Sequence, residues 1–235
     1  MIALAIDTSN LVLGVAVANE NKVLAEFITN EKKNHSVRLM PAIEMVLKEL
    51  DIEPNELDRI VVARGPGSYT GVRIGVTVAK SMAWSLNIPL VGVSSLEILA
   101  QNGRYFTGYV SPLFDGRRGQ IYTGLYAMKN KRMSLIEHDR LVLAREWGGK
   151  LRELHHPVLF LGNDVAIHRQ TFTELLGDRA MFGNNAQLNP RPGELAMLGL
   201  IRKPETNVHS FVPNYARLAE AEAKWLAARK SRKKL

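Results

Sequence analysis

The sequence predicts an α/β fold made of two successive units of the order βββαβα, the first closed by one further strand to βββαβαβ. Three observations carry this reading. Apolar runs of strand length alternate with wider stripes of helical period. The first three runs are joined by short polar connections, as in an antiparallel meander. After Gln101-Asn102-Gly103 the same rhythm begins again. No fixed-period sequence repeat accompanies it, so the duplication is one of element order.

Taken in order, residues 2–6 form an apolar strand, Asp7-Thr8-Ser9-Asn10 is a turn of hydrogen-bonding residues, and residues 11–18 and 22–29 are the second and third strands. The period then changes. Leu39, Met40, Ile43, Val46, Leu47 and Leu50 make a helical stripe over 36–50, opened by Asn34-His35-Ser36. Pro41 sits inside that stripe, so either the regular helix starts late, near Arg38, or its first turns are kinked. Residues 59–63 read as a buried strand, 68–86 as a helix and 90–93 as the closing strand. In the second unit the strands are 107–114, 120–127, 133–143, 158–161 and 180–182, with helices over 146–154 and 165–176. Pro192 opens a helix over 193–201, and a last helix, 217–228, is expected to pack back on the first half. The boundary falls near Gly103, giving residues 1–103 and 104–235 as the two subdomains.

The densest stretch runs from Ala63 to Gly75. Gly65-Pro66-Gly67 breaks the strand, and Ser68 is placed to accept a bond from an orphan backbone N–H of the following helix. Past that cap, Gly71, Gly75, Ala79 and Ala83 recur every four positions and so share one face. Two interior glycines cost a helix roughly 1 kcal/mol each, which close approach of another backbone would offset. That backbone can belong to the chain's own sheet or to another subunit. Arg73 and Lys80 rule out reading this Gly-x-x-x-Gly helix as a membrane span.

Composition narrows the classes. The 235 residues suffice for one large or two small domains, and no cysteine is present, which removes disulfides, thiolate nucleophiles and cysteine metal sites. The chain begins in a strand pattern, with no export signal expected, and the expected compartment is the cytoplasm. Of the net charge of +8, five charges come from Arg229, Lys230, Arg232, Lys233 and Lys234, leaving a mildly basic body. No aromatic and basic interleaving marks an RNA-recognition strand.

Duplicated βββαβαβ units with a polar turn after the first strand resemble the actin-like, sugar-kinase and heat-shock ATPase superfold, which by itself fixes no function. The motifs are narrower: Ala3-Leu4-Ala5-Ile6-Asp7-Thr8-Ser9, His35-Ser36, Gly65-Pro66-Gly67-Ser68-Tyr69-Thr70-Gly71-Val72-Arg73-Ile74-Gly75, Asp115-Gly116-Arg117-Arg118-Gly119-Gln120-Ile121-Tyr122 and Val212-Pro213-Asn214-Tyr215-Ala216-Arg217. In that order and spacing the chain resembles the TsaB (YeaZ) family of tRNA threonylcarbamoyladenosine formation. Gly116 and Ala216 depart from the family's more usual Ala and Leu. The resemblance implies a subunit that pairs with its paralogue TsaD and, with the ATPase TsaE, serves threonylcarbamoyl transfer to N6 of adenosine 37 in tRNAs reading codons that begin with A.

The same resemblance implies that the chain is not the catalyst. TsaD carries a Gly-Val-Asn-His-x-x-x-His run whose histidines bind a metal. Here Gly92-Val93-Ser94-Ser95-Leu96-Glu97-Ile98-Leu99 puts Ser95 and Leu99 in their place, and leucine cannot coordinate a metal. No catalytic residue, metal or cofactor is therefore expected. Asp7, Thr8 and Ser9 are the weak nucleotide candidates, since actin-like ATPases place an acidic residue there, although a polar turn needs no ligand. His35 and the His155-His156 pair read as capping or surface residues. The alternatives are an ATP-dependent kinase or ATPase, disfavoured by the bulky Arg117-Arg118 where a small-residue phosphate loop is needed, and a metallopeptidase, disfavoured by the missing histidines. The partner interface is expected on helices 36–50 and 68–86, at Leu39, Ile43, Val46, Leu50, Gly71, Gly75, Ala79 and Ala83. One such surface would serve a homodimer and the TsaD heterodimer in competition, with tRNA reached through the complex.

Overall fold

The computed structural model, which describes residues 1–31 and 33–215, resolves the strands into two five-stranded sheets. The first contains β1 (Ile2–Asp7), β2 (Leu13–Asn19), β3 (Val23–Thr29), β4 (Arg59–Ala63) and β5 (Leu90–Val93), in the order β3-β2-β1-β4-β5. The second contains β6 (Tyr109–Arg117), β7 (Gln120–Lys129), β8 (Arg132–Leu143), β9 (Val158–Leu161) and β10 (Ala180–Phe182), in the order β10-β9-β6-β7-β8. In each sheet three strands form an antiparallel meander and the last two add parallel to the first. The duplication therefore extends from element order to strand pairing.

Alternation along the strands decides what each face of the first sheet can hold. Leu4, Ile6, Val15, Val17, Ile60 and Val62 point to one side, where α1 (His35–Glu49) and α2 (Tyr69–Ser85) cover them. The other face is mostly small, with Ala3, Ala5, Ala16, Ala18 and Ala63, and carries α6 (Pro192–Leu200). Small residues let α6 approach closely: a Cβ at Gly199 would lie 2.3 Å from Val61 Cγ2. Glu26 on β3 fastens the start of α6, accepting from the Gly193 N–H at 2.8 Å and pairing with Arg191. α6, inside the expected second subdomain, packs back on the first sheet. The expected helix 217–228 and the basic tail lie outside the described residues.

Both long helices start where capping chemistry places them. Asn34 accepts from the Ser36 N–H at 3.0 Å, so α1 begins at His35 and not near Arg38. Pro41 lies on the solvent side of α1, and Val37, whose carbonyl loses its helical donor to it, is exposed as well. Ser68 caps α2 by accepting from the Gly71 N–H at 3.3 Å.

The second sheet is covered on one face by α4 (Ala144–Arg152) and α5 (Val165–Leu176). Their core holds Trp147, which donates to Ser111 Oγ at 2.9 Å, and Phe160 stacked on Phe172 with centroids 4.0 Å apart. The other face holds α3 (Ser95–Ala100), a helix that the strand and helix periodicity left out. Because α3 follows β5 yet packs its Leu96 and Leu99 against Val110, Tyr126 and Leu159, it ties the two halves together. After α6 the chain returns across the first half, where Phe211 packs over Gly92, Lys80 Nζ donates to the Phe211 carbonyl at 2.8 Å, and the Asn214 N–H donates to the Arg64 carbonyl at 2.7 Å.

Candidate functional site

The turn after β1 and the glycine loop after β4 form one closed unit. Asp7, Thr8 and Ser9 are fully or almost fully buried. The Ser9 N–H donates to Asp7 Oδ1 at 2.8 Å, the Thr8 hydroxyl donates to the Gly71 carbonyl at 2.7 Å, and the Ser68 N–H donates to the Ser9 carbonyl at 2.7 Å. The glycines are what let the segments meet: a Cβ at Gly67 would fall 2.0 Å from the Ser9 carbonyl oxygen, and one at Gly71 would fall 2.2 Å from that of Thr8. The glycine loop is thus packed directly against the chain's own turn. Asp7 Oδ2 has no partner among the described residues, and burial pushes the Asp7 carboxyl above its ordinary range, opposed by the Ser9 hydrogen bonds and by His35.

The same geometry shows what the residues of the expected interface touch within the chain. Gly71, Gly75, Ala79 and Ala83 face the chain's own sheet, with a Cβ at Gly75 only 2.5 Å from Thr8 Oγ1. Leu39, Ile43 and Val46 are buried in that core and Leu50 is partly buried against it. The reason is the sheet itself: two helices crossing large residues on β1 and β4 need one apolar and one bare stripe to sit at contact distance. What α1 and α2 turn outward is a different set. Val37, Met40 and Met45 on α1 are 67, 49 and 47% exposed, and Tyr69 and Trp84 on α2 are 45 and 66% exposed. Ile74, Val78 and Met82 are partly buried along α2, which α1 lies against, while Tyr69 and Trp84 sit beside Tyr215 and His209 of the returning chain. Such a concentration of large apolar side chains on adjacent helices is the kind of patch that interfaces cover.

Ser95 and Leu99, at the positions of the two missing histidines, are both engaged. Ser95 Oγ accepts from the Gly65 N–H at 3.1 Å, its own N–H returns a bond to the Gly65 carbonyl at 3.0 Å, and Leu99 is fully buried in the core beneath α3. Among the described residues no group of three His, Cys, Asp or Glu side chains is arranged to hold a metal ion.

Sequence reasoning missed two clusters. A cleft of about 330 Å³ opens between the halves, with Arg64, Ser94, Glu97, Tyr126, His138 and Asp139 on its walls. In it Asp139 accepts from the Tyr126 hydroxyl at 2.6 Å and from the Ser94 hydroxyl, and burial pushes both the Asp139 carboxyl and the Tyr126 phenol up. The partners come from α3's cap, β7 and β8, and nothing local in the sequence links them. The second cluster lies at the β6–β7 hairpin. Buried His168 of α5 contacts Asp115 Oδ1 through Nε2 at 3.0 Å, and the Asp115 N–H donates to Asp164 Oδ2 at 2.8 Å. Here a signal existed, because His168 occupies an apolar-stripe position between Val165 and Phe172.

Comparison with known proteins places this arrangement among relatives. The family model of TsaD, tRNA N6-adenosine threonylcarbamoyltransferase, matches residues 22–225. The tRNA threonylcarbamoyladenosine biosynthesis protein TsaB of Bacillus subtilis (strain 168) is 55% identical over 230 residues, covering 98% of this chain and 100% of that protein. The crystal structure of an uncharacterized protein with similarity to peptidase YeaZ from Pseudomonas aeruginosa superposes with a TM-score of 0.78 at 25% identity, over 92% of this chain and 99% of that one. At the level of fold alone, the ROK hexokinase from Thermus thermophilus matches with a TM-score of 0.50 at 11% identity, over 84% of this chain and 98% of that one.

Proposed function

The chain belongs to the TsaB family of tRNA threonylcarbamoyladenosine biosynthesis proteins, and from that premise we propose that it is the non-catalytic subunit of a threonylcarbamoyl transferase, docking on TsaD through the outward face of α1 and α2. The observation that carries the docking is the exposed surface of Val37, Met40, Met45 and Trp84. Burying such side chains is worth roughly 1.5–3 kcal/mol each against leaving them in water. A partner with an apolar helical face fits it, and a second copy of this chain would compete for it. The non-catalytic role is supported by Ser95 and Leu99, which are spent on a loop clasp and a core contact, and by a glycine loop packed directly against the β1–β2 turn. TsaD supplies the chemistry, TsaE completes the complex in the cytoplasm, and tRNA is the substrate of the whole assembly.

Transfer of a labelled threonylcarbamoyl group from threonylcarbamoyl-adenylate to tRNA tests this. The chain alone should give no transfer, and TsaD with TsaE should reach full turnover only when the chain is added. Turnover by the isolated chain, or full turnover without it, contradicts the reading.

A further inference from the structure

We propose that the β6–β7 hairpin tip, with Arg117 and Arg118 as its phosphate-reading groups and Arg145 beside them, is a direct contact of this chain with the tRNA backbone; this rests on the proposed role in a tRNA-modifying complex. The strands meet with Arg117 opposite Gln120, leaving Arg118-Gly119 as the turn. Arg117, Arg118 and Gly119 have φ of 64, 54 and 73°, all in the left-handed region. Glycine or asparagine adopts that region readily, and a longer side chain is disfavoured there. The next hairpin, between β7 and β8, places Asn130 and Lys131 at φ 49 and 63°, with the tolerant asparagine first. At the β6–β7 tip the chain instead puts adjacent arginines into the unfavourable conformation, which fits side chains kept for what they contact.

Their charges are uncommitted. Arg117, Arg118 and Arg145 are exposed, and among the described residues none of them forms an ion pair. Arg145 is close by because the Ala144 N–H donates to the Gly119 carbonyl at 2.9 Å, seating the start of α4 on the turn. The carboxylate that would neutralise the tip, Asp115, is drawn inward onto buried His168, and its N–H is held by Asp164. That bracing also fixes the base of the hairpin, so the guanidinium groups project from a rigid support. Planar guanidinium forks match phosphate oxygens in a bidentate manner. A protein partner would require an apolar anchor, and among the described residues the large apolar side chain placed against Gly119 is Leu143, only 41% exposed. The observations therefore favour a phosphate backbone over an acidic protein.

The test is anisotropy of a fluorescent tRNA titrated with the full chain, free and bound to TsaD, over a salt series. Wild type is compared with Arg117→Asn/Arg118→Gly, which gives the turn residues its backbone prefers. The variant should fold, melt higher than wild type and bind TsaD unchanged. Its tRNA affinity near 0.15 M salt should fall roughly tenfold or more, and the slope of log K against log salt should shrink by about two, one per phosphate contact removed. Unchanged affinity and slope with intact TsaD binding would overturn the RNA contact and leave the proposed role standing. Loss of TsaD binding by the variant would assign the hairpin to the protein partner and overturn it as well. Failure of the wild-type chain to bind TsaD would instead sink the underlying role.

Discussion

Substituting Gly71 by alanine separates two roles for the small-residue stripe by the sign of its effect. On a helix face that waits for a partner, Gly71→Ala would stabilise the isolated chain by roughly 1 kcal/mol through helix propensity. In the structure the new Cβ falls 2.2 Å from the Thr8 carbonyl oxygen, more than an ångström inside ordinary contact, and that oxygen is backbone in a fully buried turn. Relief requires α2 to move off the turn, at a cost of about 1–3 kcal/mol for overpacking. The movement also stretches the 2.7 Å bond from the Thr8 hydroxyl to the Gly71 carbonyl, whose buried groups then cost about 1–3 kcal/mol unpaired. After the propensity gain, the net loss is about 3 kcal/mol. For a chain of 235 residues that corresponds to a melting temperature lower by about 6–12 °C. Urea unfolding followed by circular dichroism measures it directly. A variant as stable as wild type, or more stable, would refute the placement of α2 against the β1–β2 turn.

Asp7→Asn keeps the Oδ1 acceptor for the Ser9 N–H and removes a buried charge. Because burial raises the folded-state value above the ordinary 3.8, wild type is favoured at low pH and loses stability as the pH rises through that folded-state value. The variant's stability relative to wild type should therefore increase between pH 4 and pH 7, and urea midpoints showing no such trend would contradict a buried, ionising Asp7. Tyr126→Phe deletes the donor to Asp139 Oδ1 at 2.6 Å and should cost about 1–3 kcal/mol. Equilibrium unfolding with an unchanged midpoint would show that this bond between β7 and β8 contributes nothing.

Much of the fold was legible because its elements are long and punctuated. β9 lies between Pro157 and Gly162 and α5 between Asn163-Asp164 and Gly177, while β5 begins after Pro89 and β10 ends before Gly183. Pro41 misleads only because sequence does not say which side of α1 faces water. The bare face of α2 was visible in the spacing of Gly71 and Gly75, but a close neighbour of the same chain and one of another subunit demand the same glycines. What decides between them is Thr8, sixty-three residues away in sequence from the carbonyl it bonds. The outward surface was hidden for a related reason: Val37, Met40, Met45 and Trp84 interrupt no pattern and look like edges of the buried stripe. Ser94, Tyr126 and Asp139 meet only after α3 has crossed to the second sheet, so their cluster has no local signature.

The proposed docking of this chain on TsaD is tested most directly by isothermal titration of a TsaD homologue with wild type and with Val37→Asp/Met40→Asp. Both side chains are about half exposed or more, so the fold should survive, as circular dichroism would verify, while desolvating two carboxylates against an apolar partner should weaken binding by a hundredfold or more, roughly 3 kcal/mol. Unchanged affinity in a folded variant would contradict the assignment of the α1–α2 face as the partner surface.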